Sequence, residues 1–171
     1  NVLEAVSMLK EIPHRHSFTY VVYDQSGETY VVETSPRGVE VRHSTVCTNH
    51  FEIMRHENRN HLVDSQRRLG VMKEQYENLS EAYDAFRLLN DKNRGVFSDL
   101  YGSWAGTIHT SAYLPREMKA WIALGGNQEP TVFDFAKWLN GEDVELEQIT
   151  GEIDTDIPFV HMDEGANWYR K

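Results

Sequence analysis

The sequence has little cysteine, few prolines and no long hydrophobic run. A single cysteine in 171 residues excludes an internal disulfide. No run approaches the roughly 18 consecutive apolar residues that span a bilayer, so we expect no membrane partner and a cytoplasmic location. Clustered lysine and arginine are also scarce, and the formal net charge is −10. Because nucleic acids bind basic patches, we expect no nucleic-acid partner.

The composition that remains is that of an ordinary folded domain. Hydrophobic residues make up 40% of the chain and aromatic residues 11%, which is enough for one packed core. We find no internal repeat, and we expect residues 1–171 to form a single domain with an acidic, irregular tail over about residues 141–171. The chain starts at Asn1 without a methionine and already in a helical pattern. We interpret it as the C-terminal portion of a longer protein.

Hydrophobic periodicity in the first third predicts a helix followed by an antiparallel meander. A helical stripe covers residues 2–12 and ends at Pro13. Four strands with short turns between them are then expected. Their predicted ranges are 18–24, 29–34, 39–42 and 45–48. This arrangement places Asn49 directly after the fourth strand.

Two further helices and a hairpin are predicted downstream. Asp64 is a plausible N-cap for a helix with an apolar stripe through Leu69, Met72 and Tyr76. A second stripe covers residues 79–89, with Asn78 or Ser80 as its cap. The later elements are a hairpin formed by residues 107–113 and 119–124, and a short amphipathic segment over 133–139.

The candidate catalytic residues are Asn49 and Arg67. A strand that stops at an asparagine can aim a neutral amide donor into a cleft, and a helix whose first turn carries arginine can bring a positive charge to the same place. An acyl-transfer site needs such groups around a developing oxyanion and its carboxylate neighbours. Most asparagines at strand ends only form turns, so the pair alone is a weak signal.

Two other chemistries remain as alternatives. Eight histidines are present, but none has a cysteine or carboxylate at a spacing that completes a familiar metal site, and Arg15 between two of them would repel a cation. We therefore expect no metal and no cofactor. Cys47 lies within an apolar run, where a small buried side chain is the ordinary explanation and a nucleophile is the alternative. The histidines are His14, His16, His43, His50, His56, His61, His109 and His161.

With these residues in place, the chain resembles the C-terminal half of the N-terminal-nucleophile (Ntn) hydrolases of the choloylglycine hydrolase and acyl-coenzyme A:6-aminopenicillanic acid acyltransferase family. Acid ceramidase is a more distant relative. The resemblance covers about residues 2–126. It includes an Asp-x-x-Gly turn at Asp24, followed by a strand that ends at Glu33. It is sharpest at Thr48-Asn49 and at residues 65–68, Ser-Gln-Arg-Arg.

The resemblance implies a fold and a site. The fold is the α+β class, a four-layer αββα sandwich, present here as the C-terminal part without the nucleophile segment. Asn49 would be the oxyanion-hole amide and Arg67 the active-site arginine, with Arg68 in that role if the alignment shifts by one residue. The family's nucleophile is the N-terminal cysteine of the mature chain, whose α-amine acts as base. The upstream segment would supply it.

These expectations lead to three hypotheses for function. The first is a linear-amide C–N hydrolase or acyltransferase that acts on a small-molecule amide or acyl thioester, with bile salts, penicillins, acyl-homoserine lactones and N-acyl amino acids all open. Its partners would be the missing N-terminal half and a second copy in a homo-oligomer. The second is a non-catalytic binding or regulatory domain that retains half of the fold. The third is a metal-binding or thiol-active protein that uses the histidines and Cys47.

Overall fold

Helix α1 (Val2–Glu11) opens the computed structural model, which describes residues 1–58, 63–103 and 106–155. Asn1 caps the helix by accepting a hydrogen bond from the Glu4 amide at 3.0 Å. The Glu4 carboxylate accepts in turn from the Asn1 amine at 2.9 Å, which completes a capping box. Asp24 also accepts from the Val2 amide at 2.7 Å, so the turn after the first strand holds the start of the helix. The predicted N-terminal helix is confirmed.

Sheet A is a three-stranded antiparallel sheet with strand order β1-β2-β3. Its strands are β1 (Phe18–Tyr23), β2 (Thr29–Ser35) and β3 (Gly38–His43). Residues 31–35 of the central strand are all buried. Since successive side chains of a strand point to opposite faces, both faces of β2 are covered. Helix α1 contacts all three strands.

The predicted fourth strand over residues 45–48 is wrong, because this segment is irregular. Side chains form hydrogen bonds with backbone groups that would bond a neighbouring strand in a sheet. The Ser44 hydroxyl bonds both the amide and the carbonyl of Val46, at 3.4 Å and 3.0 Å, and Arg42 Nη2 also donates to that carbonyl at 3.3 Å. The segment therefore leaves sheet A instead of extending it.

Two helices follow, α2 (Val63–Gln75) and α3 (Ala82–Asn90). Because α2 begins at Val63, Asp64 lies inside its first turn, and the predicted N-cap role for Asp64 is wrong. The N-cap of α3 is Glu81 and neither Asn78 nor Ser80; the Asp84 carboxylate accepts from the Ser80 and Glu81 amides at 3.0 Å each.

A hydrophobic cluster joins the two helices. Leu69 and Met72 of α2 pack with Leu88 of α3 and Val96 of the following loop, and all four are buried. Val46 packs against this cluster from the irregular segment. The segment that precedes Asn49 is thus held on α2 by apolar contacts.

Sheet B is a second antiparallel sheet, with strand order β4-β5-β6. Its strands are β4 (His109–Leu114), β5 (Lys119–Leu124) and β6 (Thr131–Asp134), and helix α4 (Phe135–Leu139) follows directly. Helix α3 packs on this sheet, where Phe86 meets Trp121 edge to face at 6.3 Å between ring centroids. The predicted hairpin is confirmed, and the amphipathic segment 133–139 divides into the end of β6 and helix α4.

Polar contacts link the two sheets. The Tyr23 hydroxyl at the end of β1 donates to the Tyr113 carbonyl at 2.7 Å. Beside it, Gln25 Nε2 donates to the Pro115 carbonyl at 3.1 Å, and Arg116 Nε donates back to the Gln25 carbonyl at 3.2 Å. The mixed helices and antiparallel sheets confirm the α+β class.

The predicted acidic tail is irregular from residue 142 to 155 and still packs on sheet B. A Cβ added at Gly151 would lie 2.1 Å from the Leu124 carbonyl oxygen, so the backbones touch there. Asp154 pairs with Lys92 at 3.1 Å. Residues 156–171 of the tail, and with them His161, lie outside the described residues, as does His61.

Candidate active site

The two predicted catalytic residues lie in one hydrogen-bonded network centred on Asp64. Arg68 Nη2 donates to Asn49 Oδ1 at 2.7 Å, and Arg68 Nε donates to Asp64 Oδ2 at 2.7 Å. Arg67 Nη2 donates to Asp64 Oδ1 at 2.6 Å, while its Nη1 donates to the Gly95 carbonyl at 2.6 Å. Asn49 therefore contacts Arg68 directly and is connected to Arg67 through Asp64.

This network fixes the orientation of the Asn49 amide. A guanidinium has only donors, so the group that faces Arg68 must be the amide oxygen. The amide nitrogen Nδ2 then points away from Arg68. Within the described ranges it donates to no other group, and the residue is exposed. The arrangement offers a fixed neutral donor to a ligand.

The charges of the network leave a positive excess. Burial acts to raise the pKa of Asp64, but hydrogen bonds from Arg67 and Arg68 outweigh that effect and hold the pKa below its ordinary value. Asp64 is therefore ionised at neutral pH, and one carboxylate faces two guanidinium groups. The remaining positive charge attracts an oxyanion or a carboxylate.

A buried polar cluster lies next to Asn49. His50 Nδ1 is 2.8 Å from Ser65 Oγ and 3.0 Å from Thr48 Oγ1, and Thr48 Oγ1 also donates to the Ser65 carbonyl at 3.1 Å. Burial lowers the pKa of His50, whose side chain is therefore neutral at pH 7. These bonds tie residues 48–50 to the first turn of α2.

Sequence reasoning did not assign a role to this cluster, because its contacts join Thr48 and His50 to Ser65, which is 17 and 15 residues away in the sequence. Thr48 and His50 flank Asn49, and both are buried while Asn49 is exposed. The hydrogen bonds of Thr48 and His50 to Ser65 hold these two side chains inward and leave Asn49 exposed between them.

Glu33 holds the loop that follows Asn49. Its carboxylate is fully buried and accepts from the amides of Glu52, Ile53 and Met54 at 2.7, 3.0 and 2.9 Å. Glu52 in turn pairs with Arg42 of β3 at 2.6 Å and Lys73 of α2 at 2.7 Å. Ionic contacts thus connect sheet A to α2 through this loop.

Cys47 is half-buried beside the hydrophobic cluster. Burial raises the pKa of its thiol, and nearby Glu52 and Glu33 act in the same direction against Arg42. A nucleophilic cysteine needs a stabilised thiolate, and this environment favours the protonated thiol. The structure thus supports Cys47 as a small apolar side chain.

Neither a metal site nor a membrane-spanning helix is found in the part of the chain that the structure describes. Residues 1–58, 63–103 and 106–155 contain no group of three or more histidine, cysteine, aspartate or glutamate side chains placed to hold a metal ion. None of the helices in those ranges combines the length and the apolar character needed to cross a membrane.

Comparison with known proteins identifies a family for most of the chain. Residues 1–129 match the family described as acyl-coenzyme A:6-aminopenicillanic acid acyl-transferase. The match contains sheet A, the Asn49 segment, α2, α3 and the first two strands of sheet B. A search of curated proteins finds no match.

Proposed function

The chain belongs to the acyl-coenzyme A:6-aminopenicillanic acid acyl-transferase family of Ntn hydrolases, and from this premise we propose a more specific function for it. It forms the oxyanion side of the active site of a linear-amide C–N hydrolase or acyltransferase. The substrate is a small-molecule amide or acyl thioester. The nucleophile is an N-terminal cysteine supplied by an upstream segment.

In this proposal the cysteine thiolate attacks the carbonyl carbon of the substrate. The carbonyl oxygen becomes an oxyanion, and Asn49 Nδ2 donates a hydrogen bond to it. The intermediate collapses with cleavage of the C–N bond of an amide or the C–S bond of a thioester, which leaves an acyl-enzyme. The α-amine of the cysteine takes the thiol proton and passes it to the leaving group. Water or an amine then accepts the acyl group.

Arg68 and Asp64 act in the proposed site by holding Asn49. The observation that supports the proposal is the 2.7 Å hydrogen bond between Arg68 and Asn49, which leaves Nδ2 as the donor. A donor that is already oriented needs no reorganisation when charge develops on the substrate. Arg67, the arginine predicted from the sequence, is attached to the same Asp64 and adds positive charge nearby.

The proposal also includes the four-layer αββα sandwich and a single domain over the whole chain. Support comes from the packing of α1 on sheet A and of α3 on sheet B. The single domain is also supported by the pairing of β6 with β5, because this pairing continues sheet B beyond residue 129.

The test is Asn49→Ala in the full-length protein, with amide and thioester substrates. Loss of one oxyanion donor lowers kcat by about 10²–10³-fold in other acyl-transfer enzymes, and we expect a fall of that order with little change in KM. Asn93→Ala is the matched control, since Asn93 is also exposed and lies in a loop. An unchanged rate in Asn49→Ala would remove Asn49 from the mechanism. A full-length protein without a cysteine at a processed N-terminus would favour the non-catalytic binding domain instead.

A further inference from the structure

The buried stripe of α2 begins with a polar residue. Ser65, Leu69 and Met72 are the buried residues of this helix, and their spacing of four and three residues places them on one face. Ser65 is 5% exposed although it carries a hydroxyl group. A buried hydroxyl lowers stability unless it is hydrogen-bonded, so an alanine would suit the apolar core better at this position. A serine here points to a role other than packing.

Both residues that flank Asn49 are bonded to Ser65. Thr48 Oγ1 donates to the Ser65 carbonyl at 3.1 Å and lies 3.0 Å from Ser65 Oγ. His50 Nδ1 lies 2.8 Å from the same hydroxyl. The hydroxyl accepts if Nδ1 carries the proton and donates if it does not, so the contact is present in either tautomer of the neutral imidazole. We call Thr48, His50 and Ser65 the Ser65 cluster.

Helix α2 therefore holds Asn49 at two points. The Ser65 cluster fixes the main chain before and after Asn49. Arg68, three residues further along the helix, fixes the side-chain oxygen at 2.7 Å. Because Ser65 and Arg68 belong to one hydrogen-bonded helix, the distance between the two points of attachment is constant. Arg68 alone would hold the amide oxygen and leave the main chain of Asn49 free to move. The two attachments together fix both the position and the direction of Nδ2.

We propose that the Ser65 cluster positions the Asn49 amide, with Ser65 as its central positioning residue. This inference rests on the proposed function, because it assigns the held amide to the oxyanion. The three side chains are buried and act through Asn49. A displacement of about 1 Å in a catalytic group can lower the rate by about 100-fold.

Other contacts limit how far Asn49 moves when the Ser65 cluster is weakened. Val46 packs on the hydrophobic cluster of α2 before Asn49, and Glu33 binds the Glu52 amide of the loop after it. We therefore expect the loss of one hydroxyl of the Ser65 cluster to lower kcat by about 10-fold, which is less than the loss of Asn49 itself.

Two substitutions of Thr48 separate hydrogen bonding from packing. Thr48→Val keeps the shape of the side chain and removes the hydroxyl, whereas Thr48→Ser keeps the hydroxyl and removes the methyl group. In the full-length protein we expect Thr48→Val to lower kcat about 10-fold with KM within about 2-fold, and Thr48→Ser to keep kcat within about 2-fold. Ser65→Ala should resemble Thr48→Val. Equal kcat values in Thr48→Val and Thr48→Ser would overturn the proposal.

Thr110→Val is the matched control for a purely structural effect. Thr110 is 6% exposed, and its Oγ1 accepts from Asn90 Nδ2 in sheet B. Its replacement should lower the midpoint of thermal unfolding, as Thr48→Val does, and leave kcat unchanged. If kcat falls as much in Thr110→Val as in Thr48→Val, loss of stability explains both effects and the positioning role is rejected.

A double substitution tests whether Thr48 acts through Asn49. Once residue 49 is alanine, no amide is left to position. Adding Thr48→Val to Asn49→Ala should then change kcat by less than about 2-fold. A further fall of about 10-fold would mean that Thr48 acts on a different group, which contradicts the proposal.

The side-chain amide of Asn49 provides a readout that needs no turnover. Its NH₂ signals in a nitrogen–proton correlation NMR spectrum of the full-length protein are identified by their loss in Asn49→Ala. These signals should shift in Thr48→Val and Ser65→Ala and stay in place in Thr110→Val. Signals that stay in place in all three variants would show that the Ser65 cluster does not hold the amide.

The outcomes separate this inference from the proposed function. If Asn49→Ala lowers turnover while Thr48→Val leaves both turnover and the Asn49 signals unchanged, the positioning role is rejected and the proposed function stands. If Asn49→Ala leaves turnover unchanged but Thr48→Val shifts the Asn49 signals, the proposed function fails. The role of the Ser65 cluster in holding the Asn49 amide is then supported independently of catalysis.

Discussion

Arg68 Nη2 lies 2.7 Å from Asn49 Oδ1, and this single hydrogen bond decides which end of the amide is left for a substrate. Arg67, the neighbouring arginine, instead bonds Asp64 and the Gly95 carbonyl. The two guanidinium groups share one carboxylate but face different surroundings. Substitution of each arginine in turn therefore distinguishes Arg68, which orients the Asn49 amide, from Arg67, which only contributes positive charge.

We expect Arg68→Lys to lower kcat by about 10-fold or more, because a lysine lacks the planar fork that bonds Asp64 and Asn49 together. Arg67→Lys should lower kcat by less than about 3-fold, because Arg67 is half-exposed and does not touch Asn49. Steady-state kinetics of both variants in the full-length protein provides the comparison. A larger loss in Arg67→Lys would support the role that the sequence predicts for Arg67.

The buried carboxylate of Glu33 should be important for stability. It accepts three backbone amides of the loop after Asn49. Glu33→Gln removes the charge and turns an NH₂ group towards those donors, so we expect a loss of about 3 kcal/mol in the free energy of unfolding. Urea denaturation measures it.

Glu40→Gln is the control for this change. Glu40 pairs with Glu33 across the sheet but is exposed, so its substitution should stay within about 0.5 kcal/mol of the native protein. Similar effects of the two substitutions would contradict the assigned role of Glu33.

The strands of sheet A could be predicted because β1 and β2 are rich in β-branched and aromatic residues, β3 alternates apolar and charged residues, and turn residues separate the three. The fourth predicted strand failed for a reason that such patterns cannot show. Residues 45–48 have the composition of a strand, but the side chains of Arg42 and Ser44 bond the Val46 backbone. Competition of this kind depends on the fold around the segment, not on its own sequence.

The candidate site was predictable only in part, for a similar reason. The sequence indicates Asn49 and an arginine in the first turn of α2, but adjacent helical residues point about 100° apart and only one can face Asn49. The four-residue spacing of Arg68 and Met72 is the signal that places Arg68 there, since Met72 belongs to the predicted apolar stripe. The family pattern includes Glu33 and Ser65 but does not show what they contact, because both act through residues distant in sequence.

Asn90 should be a structural residue of sheet B. It is 1% exposed, and its Nδ2 donates to Thr110 Oγ1 at 3.0 Å and to the Gly125 carbonyl at 2.8 Å, while its Oδ1 accepts from the Gln128 amide at 2.7 Å. Asn90→Ala leaves the buried Thr110 hydroxyl and the buried Gly125 carbonyl without this partner, and we expect a loss of about 3 kcal/mol in the free energy of unfolding. Thermal or urea unfolding measures the loss.

Asn93→Ala, in the exposed loop that follows α3, is the control for Asn90→Ala and should be nearly neutral. A similarly small effect at Asn90 would mean that water replaces the lost hydrogen bonds and that the end of α3 does not depend on this side chain.

The buried imidazole of His50 should make stability depend on pH in a defined direction. Burial lowers the pKa of His50; Lys73 and Arg68 act in the same direction, and Glu52 and Glu33 in the opposite one. The folded state therefore binds a proton less readily than the unfolded state, whose histidine has a pKa of 6.5. The free energy of unfolding should be constant with respect to this group above about pH 7.5 and should fall as the pH drops below 6.5 and towards the folded pKa.

Urea denaturation of the native chain and of His50→Gln between about pH 8 and pH 5 tests this expectation. The variant loses the contacts of the imidazole with Thr48 and Ser65, so it should be less stable than the native chain at pH 8. Because the glutamine cannot titrate, the difference in stability between the two proteins should narrow as the pH falls. The carboxylates with lowered pKa values, such as Asp64, lose their contribution mainly at lower pH and affect both proteins alike. A stability difference between the two proteins that stays constant across this range would mean that folding does not change the pKa of His50. That result would contradict its place in the buried cluster with Thr48 and Ser65.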